Sequence, residues 1–226
     1  MEVKDRIGLR TLDVISASCS AFRHNKGFIK KEQSKYDLKY KDSTSNSELL
    51  YNHFYSDFKL NITSDDIEEA VEIMDYLKGL TFKAIERELT EFETNVLKLV
   101  SSDSITKDKI GISASLPKVY LNKIEQDNWT TREAELSRTS QALGDLNERN
   151  KFNANIEFIR YIPRTMSYLI TCSVDGKHIL KFFHDKNIDK DSNINLEGYV
   201  KSQSKGRYHN GIETIINRVK IQGDEK

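Results

Sequence analysis

Apolar side chains recur at two periods along this chain, and the period changes near residue 145. Between Asn46 and Gly144 the spacing is helical. Thr63-Ser-Asp-Asp66 sets a capping hydroxyl three residues before a carboxylate, and Ile67, Val71, Met74 and Tyr76 or Leu77 then follow at helical intervals as far as Gly79. From Thr81, the residues Phe82, Ile85, Leu89, Phe92, Val96, Leu97 and Val100 form a stripe, with Thr90-Glu-Phe-Glu93 placed to cap it afresh midway. Lys107 to Ser115 reads as a short helix, and Pro117 opens another that runs to about Gln126. The capping box Thr130-Thr-Arg-Glu133 predicts a further helix ending near Gly144.

From Lys151 the period is two. Phe152, Ala154, Ile156 and Phe158 fall on one face and Asn153, Asn155 and Glu157 on the other, as in a half-buried strand. A second strand from Tyr168 to Val174 meets a third from His178 to His184 across Asp175-Gly176, a two-residue hairpin signal because both positions tolerate positive φ. Strands four, Ile194 to Gln203, and five, Ile212 to Ile221, are separated by Ser204-Lys-Gly-Arg-Tyr-His-Asn-Gly211. Five short strands with such turns predict closure into a barrel, because closure removes the exposed edges of a small open sheet. The expected fold class is α+β: a basic, partly irregular segment at 1–45, a helical domain at 46–145 and a five-stranded OB-like antiparallel β-barrel at 146–222. In the first segment, Leu9 to Phe22 is apolar enough for a strand or a short helix. Arg23 to Ser47, with six lysines among Phe28, Tyr36 and Tyr40, reads as a basic loop or arm.

Charge sharpens this division. The 226 residues carry no net charge, yet residues 1–41 sum to +5, 42–150 to −9 and 151–226 to +4. Cys19 and Cys172 form no Cys-x-x-Cys, which fits a reducing compartment, and a cytoplasmic location is expected. No apolar run approaches the roughly 20 residues that span a bilayer, so no membrane partner is expected.

Candidate chemistry concentrates at the barrel. Nucleic acid on such a barrel lies across strands two and three, flanked by the loops joining strands one to two and four to five. The first loop offers Arg160, Tyr161, Arg164 and Tyr168, and the second Lys205, Arg207, Tyr208 and His209, with Lys201 on strand four. Cations suit phosphates, and rings suit stacked bases. Of the adjacent Phe182 and Phe183, one faces the core and the other the stacking surface. His24, His53, His178, His184 and His209 are scattered without ligand spacing, so no metal, cofactor or catalytic residue is expected, and no Gly-x-x-x-x-Gly-Lys-Ser/Thr or His-Glu-x-x-His occurs. The acidic run Asp65, Asp66, Glu68, Glu69 and Glu72 reads as a solvated helix start complementing the helix dipole. The sole tryptophan, Trp129, reads as packing between two helices at the joint of the domains.

Leu196-Glu-Gly-Tyr-Val-Lys201, followed by His209-Asn-Gly-Ile-Glu-Thr-Ile-Ile-Asn-Arg-Val-Lys-Ile221, resembles the closing strand pair of a domain in uncharacterised bacteriophage and mobile-element proteins. Gly144-Asp-Leu-Asn-Glu-Arg149 resembles the start of that domain, with Asn147 where a glycine is usual, and Leu77 to Lys83 and Gly111 to Lys118 resemble its preceding helices. The resemblance covers about Asp65 to Ile221 and implies an OB-like barrel in a phage nucleic-acid setting. It supplies no catalytic residue. The resulting expectation is a non-enzymatic protein binding single-stranded DNA or RNA during replication, recombination or transcription, alongside phage or host replication proteins in the host cytoplasm. The alternative is a phage adaptor or structural protein whose barrel and acidic helices dock other proteins, favoured by the zero net charge.

Overall fold

The fourteen residues Thr11–His24 alternate small and aliphatic side chains and form α1, the most deeply buried helix of the first unit. The computed structural model describes residues 8–86, 88–206 and 209–222, and divides the chain into two units, Met1–Ile124 and Glu125–Lys226. In the first, the short strand β1 (Leu9–Arg10) precedes α1 and pairs with β2 (Ser104–Ile105). Helices α2 (Lys31–Tyr36), α3 (Asn46–Tyr55), α4 (Ser64–Lys78), α5 (Leu80–Glu86), α6 (Glu91–Val100) and α7 (Ile110–Ser113) complete it, with 3₁₀ turns at Leu38–Tyr40 and Lys107–Lys109. The long helix α8 (Leu116–Ser137) begins in this unit and continues into the second.

Val14, Ile15, Ala17, Cys19 and Ala21 of α1 are at most 1% exposed and share a core with Leu50, Ile73, Leu77, Val96 and Leu116. Small residues let α1 lie close to α3 and α4, and its buried serines stay satisfied: Ser18 donates to the Val14 carbonyl at 2.8 Å and Ser20 to the Asn61 carbonyl at 2.9 Å. Burial also pushes the Cys19 thiol far above its ordinary pKa. Leu9 to Phe22, read as a strand or a short helix, is thus mostly the helix α1, while Arg23 to Ser47, read as a basic loop or arm, carries the short helix α2 and its 3₁₀ turn. The serines among the apolar positions of α1 are what leave strand and helix both open in the sequence.

The capping signals at Thr63 and Thr90 hold. In each, the hydroxyl accepts from the backbone N–H three residues on, and the carboxylate of Asp66 or Glu93 accepts from the capping N–H. Asp66 also accepts a forked pair from Arg23, at 3.1 and 2.7 Å. The acidic run is thus not wholly solvated, since the Asp66 side chain is only 3% exposed. Thr130 begins no helix. It lies inside α8, where its hydroxyl donates to the Gln126 carbonyl at 2.9 Å, and α8 stops at Ser137.

In the second unit, β3 (Arg149–Ile162), β4 (Ser167–Val174), β5 (His178–His184), β6 (Asn193–Lys205) and β7 (Ile212–Ile221) close a barrel in the order β3-β4-β5-β7-β6. All pairings are antiparallel except β5 with β7, so the OB-like barrel is mixed where an antiparallel one was expected. The parallel pair arises because the connection after β5 carries the chain to the free edge of β3, where β6 pairs antiparallel, and β7 returns antiparallel to β6 to close against β5. Asp175 and Gly176 take φ of 52° and 65°, the doubly left-handed turn that the hairpin between β4 and β5 requires. Ala154, Ile156, Ile170, Cys172, Leu180, Phe182, Leu196, Val200 and Ile216 fill the interior. Burial there raises the Cys172 thiol pKa to about 12. No helix among the described residues is long and apolar enough to cross a membrane.

Strand β3 departs from strict alternation. The register of β3 on β4 slips between Ile156, opposite Cys172, and Phe158, opposite Thr171. Glu157 is the extra residue of a β-bulge, and the phase change turns Phe158 outward instead of into the core, where alternation had assigned it.

Asp66 supplies a test of the first unit. Burial alone would raise its pKa, but hydrogen bonds from Arg23 and Thr63 outweigh that and leave it below the ordinary value. A depressed carboxylate stabilises the fold above its unfolded pKa of about 4, and that contribution is lost as pH falls through the folded value. Asp66→Ala should cost about 1–3 kcal/mol near neutrality. Thermal melts should also show a gap between parent and variant that narrows as pH falls below about 4; a constant gap would contradict the assignment.

Candidate nucleic-acid interface

Strand alternation determines what the outer face of β4 and β5 carries. With Ile170, Cys172, Leu180 and Phe182 inside, Leu169, Thr171, Ser173, Ile179, Lys181 and Phe183 point outward. Register arranges them in rows: Arg160, Leu169 and Phe183 in one, Phe158, Thr171 and Lys181 in the next, and Asn155, Ser173 and Ile179 beyond. Outward residues of a bare barrel would be wet, yet Thr171 is 2%, Ser173 3% and Ile179 0% exposed. Something covers two of the three rows.

The cover is the C-terminal half of α8. Trp129, Arg132, Glu133, Leu136 and Ser137 recur at helical spacing and so form one stripe. Trp129 stacks on Phe158 with ring centroids 5.3 Å apart and planes 11° from parallel. Arg132 donates two hydrogen bonds to Glu157, at 3.2 and 3.1 Å, and Ser173 adds a third at 2.6 Å. These bonds outweigh burial and hold the Glu157 carboxylate below its usual pKa. The Lys181 ammonium lies 3.1 Å from Glu133 and 2.7 Å from Glu213. At the far end Ser140 accepts from the Ile179 N–H and donates to the Ile212 carbonyl, fastening the chain beyond α8 to β5 and β7. At the near end Glu125 pairs with Lys190 of the loop between β5 and β6, at 3.0 Å.

Of the residues expected to bind, those of the first loop are brought together. Arg160 is exposed in the uncovered row, across Leu169 from Phe183, which is 53% exposed. Tyr161 and Tyr168 pair at the mouth of the barrel with centroids 5.1 Å apart, Tyr161 being 49% exposed, and Arg164 follows in the exposed turn. Neither Arg160 nor Arg164 has an acidic partner among the described residues.

The second loop is used otherwise. His209 turns inward, its Nε2 3.1 Å from Glu213 and 3.9 Å from Glu133 and its buried Nδ1 without a hydrogen-bond partner. Glu133, His209 and Glu213 bring ligand atoms within 4.8 Å of one another, a grouping the sequence concealed because its members are 80 residues apart at the extremes. The Lys181 ammonium already bridges the two carboxylates, so a lysine supplies the cation of this cluster. Lys205 is exposed at the end of β6, while Lys201 is exposed in mid-strand on β6, which is not a neighbour of β4 or β5. Arg207 and Tyr208 lie outside the described residues. Phe158, Lys181 and the α8 stripe were missed. The spacing of Trp129, Arg132, Glu133 and Leu136 was the available signal, obscured by reading Thr130 as a helix start.

Comparison with protein-family models, with curated proteins and with solved structures found no match for this chain. The likeness to phage proteins accordingly rests on the quoted residues alone.

Gly211 tests how tightly the second loop is fastened. A Cβ there would collide with the backbone of Ser137 at the end of α8, where neither side can yield as a flexible side chain would. Gly211→Ala should destabilise the barrel unit by about 1–3 kcal/mol, an overpacking cost. Urea unfolding followed through Trp129 emission would measure it, and an unchanged midpoint would refute the close seating.

Proposed function

We propose that the barrel binds single-stranded nucleic acid at the uncovered end of its β4–β5 face. The observation that carries this reading is the set of exposed rings and unopposed cations at that end: Phe183 and Arg160 in the open outer row, and Tyr161 and Arg164 at the adjoining mouth of the barrel, both rings about half exposed. Exposed aromatic rings offer π-faces to unstacked bases regardless of sequence, and guanidinium groups offer forked donors to phosphates. The OB-like topology supports the same reading, because strands two and three and the loop before them form the usual oligonucleotide surface of such barrels. Work on single strands in a phage setting remains the proposed context, with DNA and RNA sharing the required chemistry. The role is binding rather than catalysis.

A docking role has a separate observation in its favour, confined to the helical unit. Phe82 and Ile85 of α5 are 74% and 81% exposed one helical turn apart, an apolar pair suited to a protein partner. The two roles are compatible, since they use different units.

Fluorescence anisotropy with labelled oligothymidine and oligouridine tests the proposal. The combined substitution Arg160→Ala, Tyr161→Ala and Phe183→Ala should weaken binding at least about tenfold, since a stacked base contributes roughly 1–3 kcal/mol. It should also flatten the salt dependence by about one phosphate contact. Lys201→Ala should change little. A parent protein that binds neither oligonucleotide at low salt would end the reading.

A further inference from the structure

The α8 stripe presents to the barrel the two chemical groups that a nucleic-acid strand would present. Trp129 lays an aromatic plane on Phe158 at 11° and 5.3 Å, the geometry of a stacked base, and Glu133 sets an anionic oxygen 3.1 Å from Lys181, the geometry of a phosphate contact. Both contacts fall in the second cross-strand row, directly beside the open row of Arg160, Leu169 and Phe183. The covered and open rows thus form one continuous surface of β3, β4 and β5. Its occupied part holds a ring on a ring and an anion on a cation.

We infer that the C-terminal half of α8 is an intramolecular stand-in for a bound strand, Trp129 in place of a base and Glu133 in place of a phosphate, and that single-stranded nucleic acid extends along the barrel by displacing it. This rests on the function proposed above and adds Phe158 and Lys181 to the residues that touch the ligand. Two further features fit a displaceable cover. The contacts of the stripe with the second row are polar and aromatic, while the barrel interior is complete without α8, its apolar cluster drawing on the strands and the segments that flank them. Lys181 also keeps a carboxylate, Glu213, when Glu133 leaves, so displacement does not strand its charge without a partner.

A ligand that must open a closed state binds more weakly by the fraction of molecules that are open, and loosening the closed state returns that affinity. The combined substitution Trp129→Ala and Glu133→Gln should therefore bind a labelled twelve-nucleotide oligothymidine, and its oligouridine counterpart, about tenfold or more tightly than the parent. Adding Lys181→Ala should abolish the gain. Circular dichroism establishes that each variant is folded. A second measurement uses the unmodified protein: Trp129 is the sole tryptophan, and saturation with the oligonucleotide should red-shift its emission and raise its quenching by acrylamide. If the parent binds while Trp129 emission and accessibility stay unchanged and the double variant gains nothing, the stand-in is refuted and binding at the open end survives. If the double variant binds where the parent does not, the stand-in is supported and binding at the open end with the helix in place is refuted. If neither binds, both inferences fall together.

Discussion

The β-bulge at Glu157 is the constraint on which the barrel unit depends. By inserting one residue between the partners of Cys172 and Thr171, it places Glu157 and Phe158 on the outer face in succession. A regular strand would have buried one of them inside the barrel. With both outside, Glu157 becomes the acceptor for Arg132 and Ser173, and Phe158 becomes the platform for Trp129. The bidentate bond fixes the helix along its axis, the stack fixes its height, and the bond from Ser173 keeps the buried hydroxyl satisfied. Without the bulge, Glu157 would stand opposite Thr171 and Phe158 would turn into the barrel, so the stripe on α8 would meet no ring in its second row.

Charge follows the same logic. The zero net charge of the chain conceals how its cations are committed. Arg23 is held by Asp66, Arg132 by Glu157 and Glu135, and Lys181 by Glu133 and Glu213, while Arg149 and Arg218 both lie over the ring of Tyr199, at 5.0 and 5.7 Å. Arg160 and Arg164 stand apart from this pattern. A total charge therefore says little about affinity for phosphate, because what steers a polyanion is the uncompensated cation and not the neutralised one.

Much of the barrel was legible from residues 151–221, because interior and exterior positions alternate and the Asp175-Gly176 turn can be read from its chemistry. The bulge was not legible, since an extra residue leaves no mark on composition and shifts the phase only within a strand. The helical caps at Thr63 and Thr90 were read correctly, whereas Thr130 was not. A threonine three residues before a glutamate is a cap only if the preceding chain is not already helical, and in α8 its hydroxyl turns back to the carbonyl one turn earlier. The inward turn of His209 was hidden for a different reason. Its partners come from α8 and β7, and only tertiary structure brings them together. The serines of α1 left strand and helix both open over Leu9 to Phe22, because a serine is buried within a helix when its hydroxyl returns to a backbone carbonyl, as Ser16 and Ser18 do.

The energy balance at the face decides how a strand would use it. Removing α8 uncovers Ile179 and Leu136, both nearly inaccessible, along with Thr171 and Ser173. Each buried aliphatic side chain contributes about 1.5–3 kcal/mol, so uncovering the pair costs several kcal/mol before any ion pair is counted. One stacked base returns only about 1–3 kcal/mol. On the proposed function, a ligand of one or two nucleotides would be served by Phe183, Tyr161 and Arg160 with the helix in place. A longer strand would add a stack on Phe158 and a phosphate on Lys181, and each further contact would recover part of the cost of opening. The threshold between these regimes would lie where the summed contacts of the strand equal those of the helix. A face built in this way would distinguish ligands by length before it distinguished them by sequence.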